Sequence, residues 1–151
     1  MKKNLVIAHR GIHDNITTPE NSISSFKKAL DKNVPIEFDI QITKDNKLVI
    51  FHDDNLKRMT GVDKFIQDTD FADVRKLRLL NTNEIIPTFK EVLDLVNSKI
   101  LLDIEIKNTN KKKLVVELVL KELENYKGKV YLKSFNPFIV KQIKKKTNKY
   151  R

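Results

Sequence analysis

Seven residues whose types suit phosphate chemistry follow or end short apolar runs along this sequence. They are two histidines, three carboxylates, an arginine and a lysine: His9, Arg10, Glu37, Asp39, His52, Glu105 and Lys107. Histidine titrates near neutrality, so one imidazole can take a proton from an attacking oxygen while another gives one to a leaving alkoxide. Arginine and lysine hold phosphate oxygens as negative charge develops in the transition state. Together these residue types predict a metal-assisted phosphate site.

The three acidic residues lie inside strand-like segments. Glu37 and Asp39 alternate with apolar residues in IEFDI, and Glu105 has the same setting in LDIEI. A carboxylate on the interior face of a buried strand costs several kcal/mol unless it is paired or bound to a metal. Pairing with Arg10 and Lys107 would explain one or two of the carboxylates, but not easily three beside two histidines. An all-oxygen ligand set suits Mg²⁺ or Ca²⁺, whereas zinc would normally recruit a histidine or a cysteine.

The two histidines of this set, His9 and His52, each close an apolar run. A single histidine at the end of a strand is more often structural than catalytic. Two histidines that flank a carboxylate cluster reverse that expectation and favour an acid–base pair. The third histidine of the chain, His13, lies in a polar segment and receives no predicted role.

Strand-like and helix-like patterns alternate along the chain. The strand-like runs cover residues 5–8, 36–42, 48–51, 100–106 and 130–132. Helical stripes lie between them; the clearest begins at Thr88 with Glu91 as its capping-box partner, and the last begins at Asn136. This alternation indicates the α/β class with a parallel sheet of βα units. In such folds the active site forms where the strands end, which is where the seven residues occur.

The net charge of +10 is confined to the last third of the chain. Residues 1–106 carry 16 Lys or Arg against 17 Asp or Glu, while residues 107–151 carry 14 against 3. The segment with the candidate chemistry is therefore nearly neutral, and no nucleic-acid-binding motif accompanies the basic segment, so no nucleic-acid partner is predicted. A solvated helix face is the favoured interpretation of the Lys-rich C-terminus. Peripheral contact with phospholipid headgroups is the alternative.

Size and hydropathy predict one globular domain without a membrane span. The chain has 151 residues, is 40% hydrophobic and contains no cysteine. None of its apolar runs approaches the roughly 18 residues of a transmembrane helix. The basic start at Met1, Lys2 and Lys3 precedes an apolar run that is too short for a signal peptide. The expected location is cytoplasmic, with peripheral membrane contact as the alternative.

In order and spacing, seven segments of the chain resemble the glycerophosphodiester phosphodiesterase family. They are AHRG at 8–11, PENS at 19–22, IEFDI at 36–40, TKDNKLVIFHD at 43–53, IPTF at 86–89, IEIK at 104–107 and SF at 134–135. Each segment alone is a weak signal, but the ordered set is highly specific and covers most of the chain.

The resemblance implies a TIM-barrel enzyme that uses a divalent metal, Mg²⁺ or Ca²⁺, to hydrolyse glycerophosphodiesters to glycerol 3-phosphate and an alcohol. It also implies roles for nine residues: acid–base catalysis for His9 and His52, metal ligation for Glu37, Asp39 and Glu105, and substrate binding for Arg10, Lys107, Glu20 and Asn21. A lysophospholipase D-like activity, which relatives of the family can show, is the enzymatic alternative.

The chain is short for a complete (β/α)₈ barrel, which takes roughly 250 residues and at least about 200. We therefore expect residues 1–151 to form one glycerophosphodiester phosphodiesterase-like domain of TIM-barrel type, truncated to about five βα units and incomplete at its C-terminus. The chain would then be a fragment of a longer protein, or a barrel that a second chain or self-association completes. The non-enzymatic alternative is a catalytically inactive barrel that acts as a binding or interaction module.

Overall fold

Five strands and six helices lie along residues 6–150, the part of the chain that the computed structural model describes. The strands are β1 (Ala8–His9), β2 (Ile36–Ile42), β3 (Leu48–Ile50), β4 (Leu102–Ile106) and β5 (Val130–Lys133). The helices are α1 (Ile23–Asp31), α2 (Lys57–Thr60), α3 (Phe71–Val74), α4 (Phe89–Val96), α5 (Lys112–Leu123) and α6 (Pro137–Lys146), with a single 3-10 turn at Ile66–Asp68. The predicted α/β class is confirmed.

Four of the strands form a parallel sheet in the order β1-β2-β4-β5. In its register His9 lies beside Glu37, Asp39 beside Glu105, and Glu105 beside Lys133. Every residue of β2 is buried, as expected for a strand that is covered on both faces. The register therefore places the polar residues of neighbouring strands side by side on one face.

The strand β3 corrects the prediction of five βα units in one parallel sheet. It pairs antiparallel with β2, with Ile42 opposite Leu48 and Ile40 opposite Ile50. A tight turn joins the two strands, with Asn46 in the left-handed region at φ 65°. A connection this short can form only a hairpin, because a parallel pairing needs a crossover of a dozen or more residues. The described residues thus contain four parallel strands rather than five.

The first predicted strand, residues 5–8, differs at both ends from the observed one. The structure has the two-residue strand β1 at Ala8–His9, and Leu5 lies outside the described residues. His9 is therefore the last residue of its strand rather than the first residue of the following loop.

The two helix starts singled out in the sequence are present. Thr88 accepts a hydrogen bond from the Glu91 backbone N–H, while the Glu91 side chain accepts one from the Thr88 backbone, which forms the predicted capping box of α4. Asn136 caps α6 by accepting a hydrogen bond from the Phe138 backbone N–H. None of the helices within residues 6–150 has the length and apolar character needed to cross a membrane.

The outer face of β2 packs against α1 and α4 through three aromatic rings. Phe38 is fully buried, and its ring centroid lies 5.7 Å from that of Phe26 and 6.0 Å from that of Phe89. Tilted aromatic pairs at these separations add to the free energy gained from burial. This contact fixes β2 and hence the polar residues on its opposite face.

A second apolar cluster anchors the long segment between β3 and α4. It contains Val49, Phe51, Leu56, Met59, Ile66, Val74, Leu79 and Ile86, all of them buried. Since His52 and Asp53 lie between two of these residues, the cluster holds the loop after β3 in place.

Replacing Phe38 with alanine is expected to lower the free energy of unfolding by about 3–5 kcal/mol, because the change removes a fully buried ring between two helices. The matched control is Phe135→Ala, whose ring is 90% exposed and whose loss is expected to cost less than about 0.5 kcal/mol. Urea unfolding of both variants measures the difference. Similar losses for the two would contradict the placement of Phe38 at the centre of the core.

Candidate active site

Three carboxylates meet on the inner face of the sheet. Each of Glu37, Asp39 and Glu105 contributes a carboxylate oxygen, and these oxygens lie within 4.8 Å of one another. All three residues are buried. The predicted metal ligands are thus brought together, because β2 and β4 run parallel with Asp39 directly beside Glu105.

Burial opposes the negative charge of two of these carboxylates, Glu37 and Asp39. Burial raises the pKa of Glu37, and the neighbouring charge of Asp39 raises it further. Burial likewise raises the pKa of Asp39, although a hydrogen bond from Asn21 counteracts part of the effect. A cation among the three carboxylates would remove this penalty.

The donor set fits a hard divalent cation. Carboxylate oxygens are the ligands that Mg²⁺ and Ca²⁺ prefer, and the site offers no thiolate. Asn21 places a further oxygen nearby: its Nδ2 donates to Asp39 Oδ2 at 3.0 Å, while its buried Oδ1 has no hydrogen-bond partner among the described residues. The residues present could therefore hold a divalent ion.

Lysine and arginine side chains border the carboxylates. Lys107 Nζ lies 2.9 Å from Glu105 Oε1 and 3.8 Å from Asp39 Oδ1, and Arg10 Nε lies 3.6 Å from Asp39 Oδ2. The charge pairing considered for the sequence is thus present, but only the Lys107–Glu105 contact among these is at hydrogen-bond distance. Arg10 Nε, which is buried, has no hydrogen-bond partner among the described residues.

A third cation, Lys133, was missed by the sequence analysis. Its Nζ lies 3.4 Å from Glu37 Oε1 and 2.8 Å from Asp103 Oδ2. The signal was available, since Lys133 directly follows the predicted run 130–132, and the alternation of β5 places it on the same face as Tyr131. Its position became recognisable only with the register that sets it beside Glu105.

Of the predicted acid–base histidines, His9 ends β1 and His52 lies two residues after the end of β3. His9 Nε2 is 3.8 Å from Glu37 Oε2, and its side chain is 67% exposed. His52 follows β3, and its Nδ1 lies 2.7 Å from Asp53 Oδ1. Asp53 therefore fixes the ring of His52, a role that its position directly after the histidine could have suggested.

The chain adopts a special backbone conformation where it leaves β1. Arg10 has φ 56° and Gly11 has φ 80°, both in the left-handed region. A Cβ atom at position 11 would overlap Ser25, so a glycine is required there. This turn lets the Arg10 backbone N–H donate to Glu37 Oε2 at 3.2 Å while its side chain reaches Asp39.

The Glu20 carboxylate accepts hydrogen bonds from two arginines and an asparagine. Its Oε1 accepts a hydrogen bond from Arg10 Nη1 at 3.0 Å, and its Oε2 accepts one from Asn15 Nδ2 at 2.8 Å. Burial alone would raise the pKa of Glu20, but hydrogen bonds from Arg58 and Asn15 and the charges of both arginines lower it to about 2. Glu20 thus holds the Arg10 guanidinium, and its predicted part in substrate binding stays a prediction, as does that of Asn21.

The lowered pKa of Glu20 predicts a contribution to stability that depends on pH. Because the folded-state pKa is about 2 against an ordinary 4.5, the contribution is complete above the ordinary value and is lost as the pH falls towards about 2. Between about pH 5 and about pH 2, the wild-type chain should lose roughly 2 kcal/mol more unfolding free energy than Glu20→Gln. Urea unfolding at several pH values measures this difference, in which the shifts of carboxylates that share no partner with Glu20 cancel. Parallel pH curves for the two proteins would contradict the Glu20 contacts.

Comparison with known proteins shows similarity over most of the chain. Residues 9–151 match the model of the glycerophosphoryl diester phosphodiesterase family. A glycerophosphodiester phosphodiesterase from Caldanaerobacter subterraneus is 36% identical over 95% of this chain, and a human lysophospholipase D is 34% identical over 75% of it. The matches cover 63% and 40% of those two proteins.

Solved structures show the same architecture. A phosphodiesterase from Oleispira antarctica, in complex with its product sn-glycerol 3-phosphate, superimposes with a TM-score of 0.86 and 27% identity over 93% of this chain and 61% of that one. This likeness confirms the predicted TIM-barrel type. The chain thus spans about three fifths of the length of these two bacterial relatives. With the family model matched over residues 9–151, the chain belongs to the glycerophosphoryl diester phosphodiesterase family.

Proposed function

We propose that this chain carries the active site of a metal-dependent phosphodiesterase that hydrolyses glycerophosphodiesters to glycerol 3-phosphate and an alcohol. The observation that carries the proposal is the meeting of Glu37, Asp39 and Glu105 on one face, with His9 at the end of β1 and His52 just after β3, two strands that both pair with β2. The product bound to the Oleispira relative supports the choice of substrate class.

His9 and His52 would divide the two proton transfers of hydrolysis. One imidazole takes a proton from the water that attacks phosphorus, and the other protonates the alkoxide that leaves as its P–O bond breaks. The exposed ring of His9 and the contact of His52 Nδ1 with Asp53 support these roles. With Nδ1 occupied by Asp53, Nε2 is the nitrogen of His52 that can face the substrate.

Arg10 and Lys107 would bind the phosphate oxygens. Both side chains are mostly buried, and both lie at the edge of the carboxylate cluster. Glu20 would support substrate binding through Arg10, whose guanidinium donates a hydrogen bond to it. Asn21 would orient Asp39 by donating a hydrogen bond to it.

We further propose Mg²⁺ or Ca²⁺ as the metal, held by Glu37, Asp39 and Glu105. Such an ion would supply positive charge that polarises the phosphoryl group. Lys107, which contacts two of these carboxylates, would then be free to contact the substrate.

A lysophospholipase D-like activity is the second candidate. A cavity of about 430 Å³ is lined by Glu105 and Lys107 and by two phenylalanines, Phe135 and Phe138. Phe135 is 90% exposed and Phe138 is 65% exposed. An acyl chain attached to the glycerol would find apolar surface there, and the likeness to a human lysophospholipase D points the same way. Cytoplasmic location, membrane contact through the Lys-rich C-terminus and completion of the barrel by a second chain stay predictions.

Histidine variants test the proposed hydrolysis. With Mg²⁺ or Ca²⁺ present, the chain is expected to release glycerol 3-phosphate from glycerophosphocholine, and His9→Ala and His52→Ala should each lower kcat by about a hundredfold or more. His13→Ala is the matched control and should retain the wild-type rate. A folded, cation-binding chain without turnover would exclude this activity and favour an inactive binding module.

Substrate preference separates the two enzymatic candidates. The double variant Phe135→Ala/Phe138→Ala is expected to lose about tenfold or more in kcat/KM for lysophosphatidylcholine, because an acyl chain loses apolar contacts. Its kcat/KM for glycerophosphocholine should change less than about twofold. Equal effects on the two substrates would leave no support for the lysophospholipase D-like activity.

Thermal unfolding tests the metal proposal. At about a hundredfold excess of Mg²⁺ or Ca²⁺ over its Kd, the Tm of the wild-type chain should rise by about 5 °C or more. Glu37→Gln should abolish this rise, because the variant lacks one of three ligands. Glu117→Gln removes a carboxylate that pairs with Lys146 elsewhere on the surface, and it should keep the full rise. An unchanged rise in Glu37→Gln would place the ion elsewhere.

A further inference from the structure

Arg58 joins two carboxylates that belong to different loops of the site. Its Nε donates to Asp53 Oδ2 at 2.7 Å and its Nη2 to Asp53 Oδ1 at 3.1 Å. The same guanidinium donates to Glu20, from Nη2 to Oε1 at 2.6 Å and from Nη1 to Oε2 at 3.2 Å. Both ends of the guanidinium are thus engaged in two-point contacts, which its planar fork favours.

Each of these carboxylates holds a candidate active-site residue on its other side. Asp53 Oδ1 lies 2.7 Å from His52 Nδ1, and Glu20 Oε1 accepts a hydrogen bond from Arg10 Nη1 at 3.0 Å. A continuous series of contacts therefore runs from His52 through Asp53, Arg58 and Glu20 to Arg10. It connects the loop after β3 with the loop after β1.

The backbone that carries Arg58 is fixed by its neighbours. Leu56 and Met59 are buried in the second apolar cluster. Gly61, at φ 79°, ends α2 and donates a hydrogen bond to the Lys57 carbonyl at 2.8 Å. The guanidinium is therefore presented from a rigid support, although its own side chain is 46% exposed.

Charge supports the same arrangement. A hydrogen bond from Arg58 lowers the pKa of Asp53 to about 2, with smaller contributions from His52. Both carboxylates thus stay ionised at neutral pH and can hold their cationic or hydrogen-bonding partners. A lone surface ion pair would contribute little, but here one side chain bridges two mostly buried groups of the site.

The geometry points to Arg58 as a positioning residue that fixes the His52 ring relative to the Arg10 guanidinium. This inference rests on the proposed function, in which His52 transfers a proton and Arg10 binds phosphate. Among the described residues, the Arg58 side chain forms hydrogen bonds and ion pairs with Asp53 and Glu20 but with none of the three clustered carboxylates, so it acts through Asp53 and Glu20. Lysine cannot replace it, because a single ammonium group cannot make two-point contacts with both carboxylates.

The test compares Arg58→Lys and Arg58→Gln with Arg75→Lys in the full chain. Arg75 is a matched control, since it makes a similar two-point contact with Glu91 and also donates to the Ile86 carbonyl, away from the proposed site. Both Arg58 variants should lower kcat for glycerophosphocholine by about tenfold or more, with less than about a twofold change in KM. Arg75→Lys should leave both parameters near wild type.

A readout independent of turnover accompanies the kinetics. The ¹⁵N resonance of His52 Nδ1 is recorded at alkaline pH, where imidazole is neutral. In both Arg58 variants it should move part of the way towards its position in Asp53→Asn, whereas in Arg75→Lys it should stay at the wild-type position.

Each outcome decides the inference. An unmoved His52 resonance, or a wild-type kcat in both Arg58 variants, would overturn it while leaving the proposed hydrolysis intact. If the wild-type chain has no turnover, the proposed function fails and the resonance alone decides whether Arg58 positions His52. Unfolding of both Arg58 variants beside a folded Arg75→Lys would assign Arg58 a structural role instead.

Discussion

The crowding of three buried carboxylates is the constraint on which the rest of this structure depends. Burial and mutual repulsion raise the pKa of Glu37, and burial raises that of Asp39. A folded chain tolerates ionised carboxylates in such a cluster when positive charge lies close by; without it, a carboxyl takes up a proton instead. Arg10, Lys107 and Lys133 supply part of that charge, and a divalent ion would supply the remainder. Cation binding and the stability of the sheet are therefore linked through the same side chains.

The fold keeps these charges at their positions from two directions. On the outer face of β2, the Phe38 ring packs between the helices α1 and α4 and so holds the strand that carries two of the acids. On the other side, the second apolar cluster holds the loop after β3, and the left-handed turn at Arg10 and Gly11 directs the loop after β1. The two loops are then joined by the contacts of Arg58. Rigid support of this kind is what a site needs when a shift of about 1 Å can cost a large factor in rate.

The alternation of residues in β2 and β4 made the acidic triad predictable. Side chains two positions apart in a strand lie on the same face of the sheet, and the carboxyl ends of neighbouring parallel strands lie at the same edge. The direction of β3 was not predictable from its apolar character alone, since apolar runs do not encode strand direction. The short turn at Asn46 indicates an antiparallel hairpin, whereas the strand–helix alternation of the rest of the chain favours parallel strands, and the prediction followed the alternation. Arg58 lies 38 positions from Glu20 in the sequence, and no local sequence pattern predicts a contact between residues so far apart in the chain. Lys133 likewise needed the register of β5 against β4 before its place beside Glu37 could be recognised.

The most direct test of the acidic triad as a cation site is anomalous X-ray diffraction from crystals of the chain grown with Mn²⁺, an oxygen-preferring substitute for Mg²⁺. We expect one strong anomalous peak that is coordinated by an oxygen from each of Glu37, Asp39 and Glu105, with Lys107 moved away from Glu105. A peak bound elsewhere, or no peak at the triad while Lys107 still contacts Glu105, would contradict the assignment of these carboxylates as a metal site.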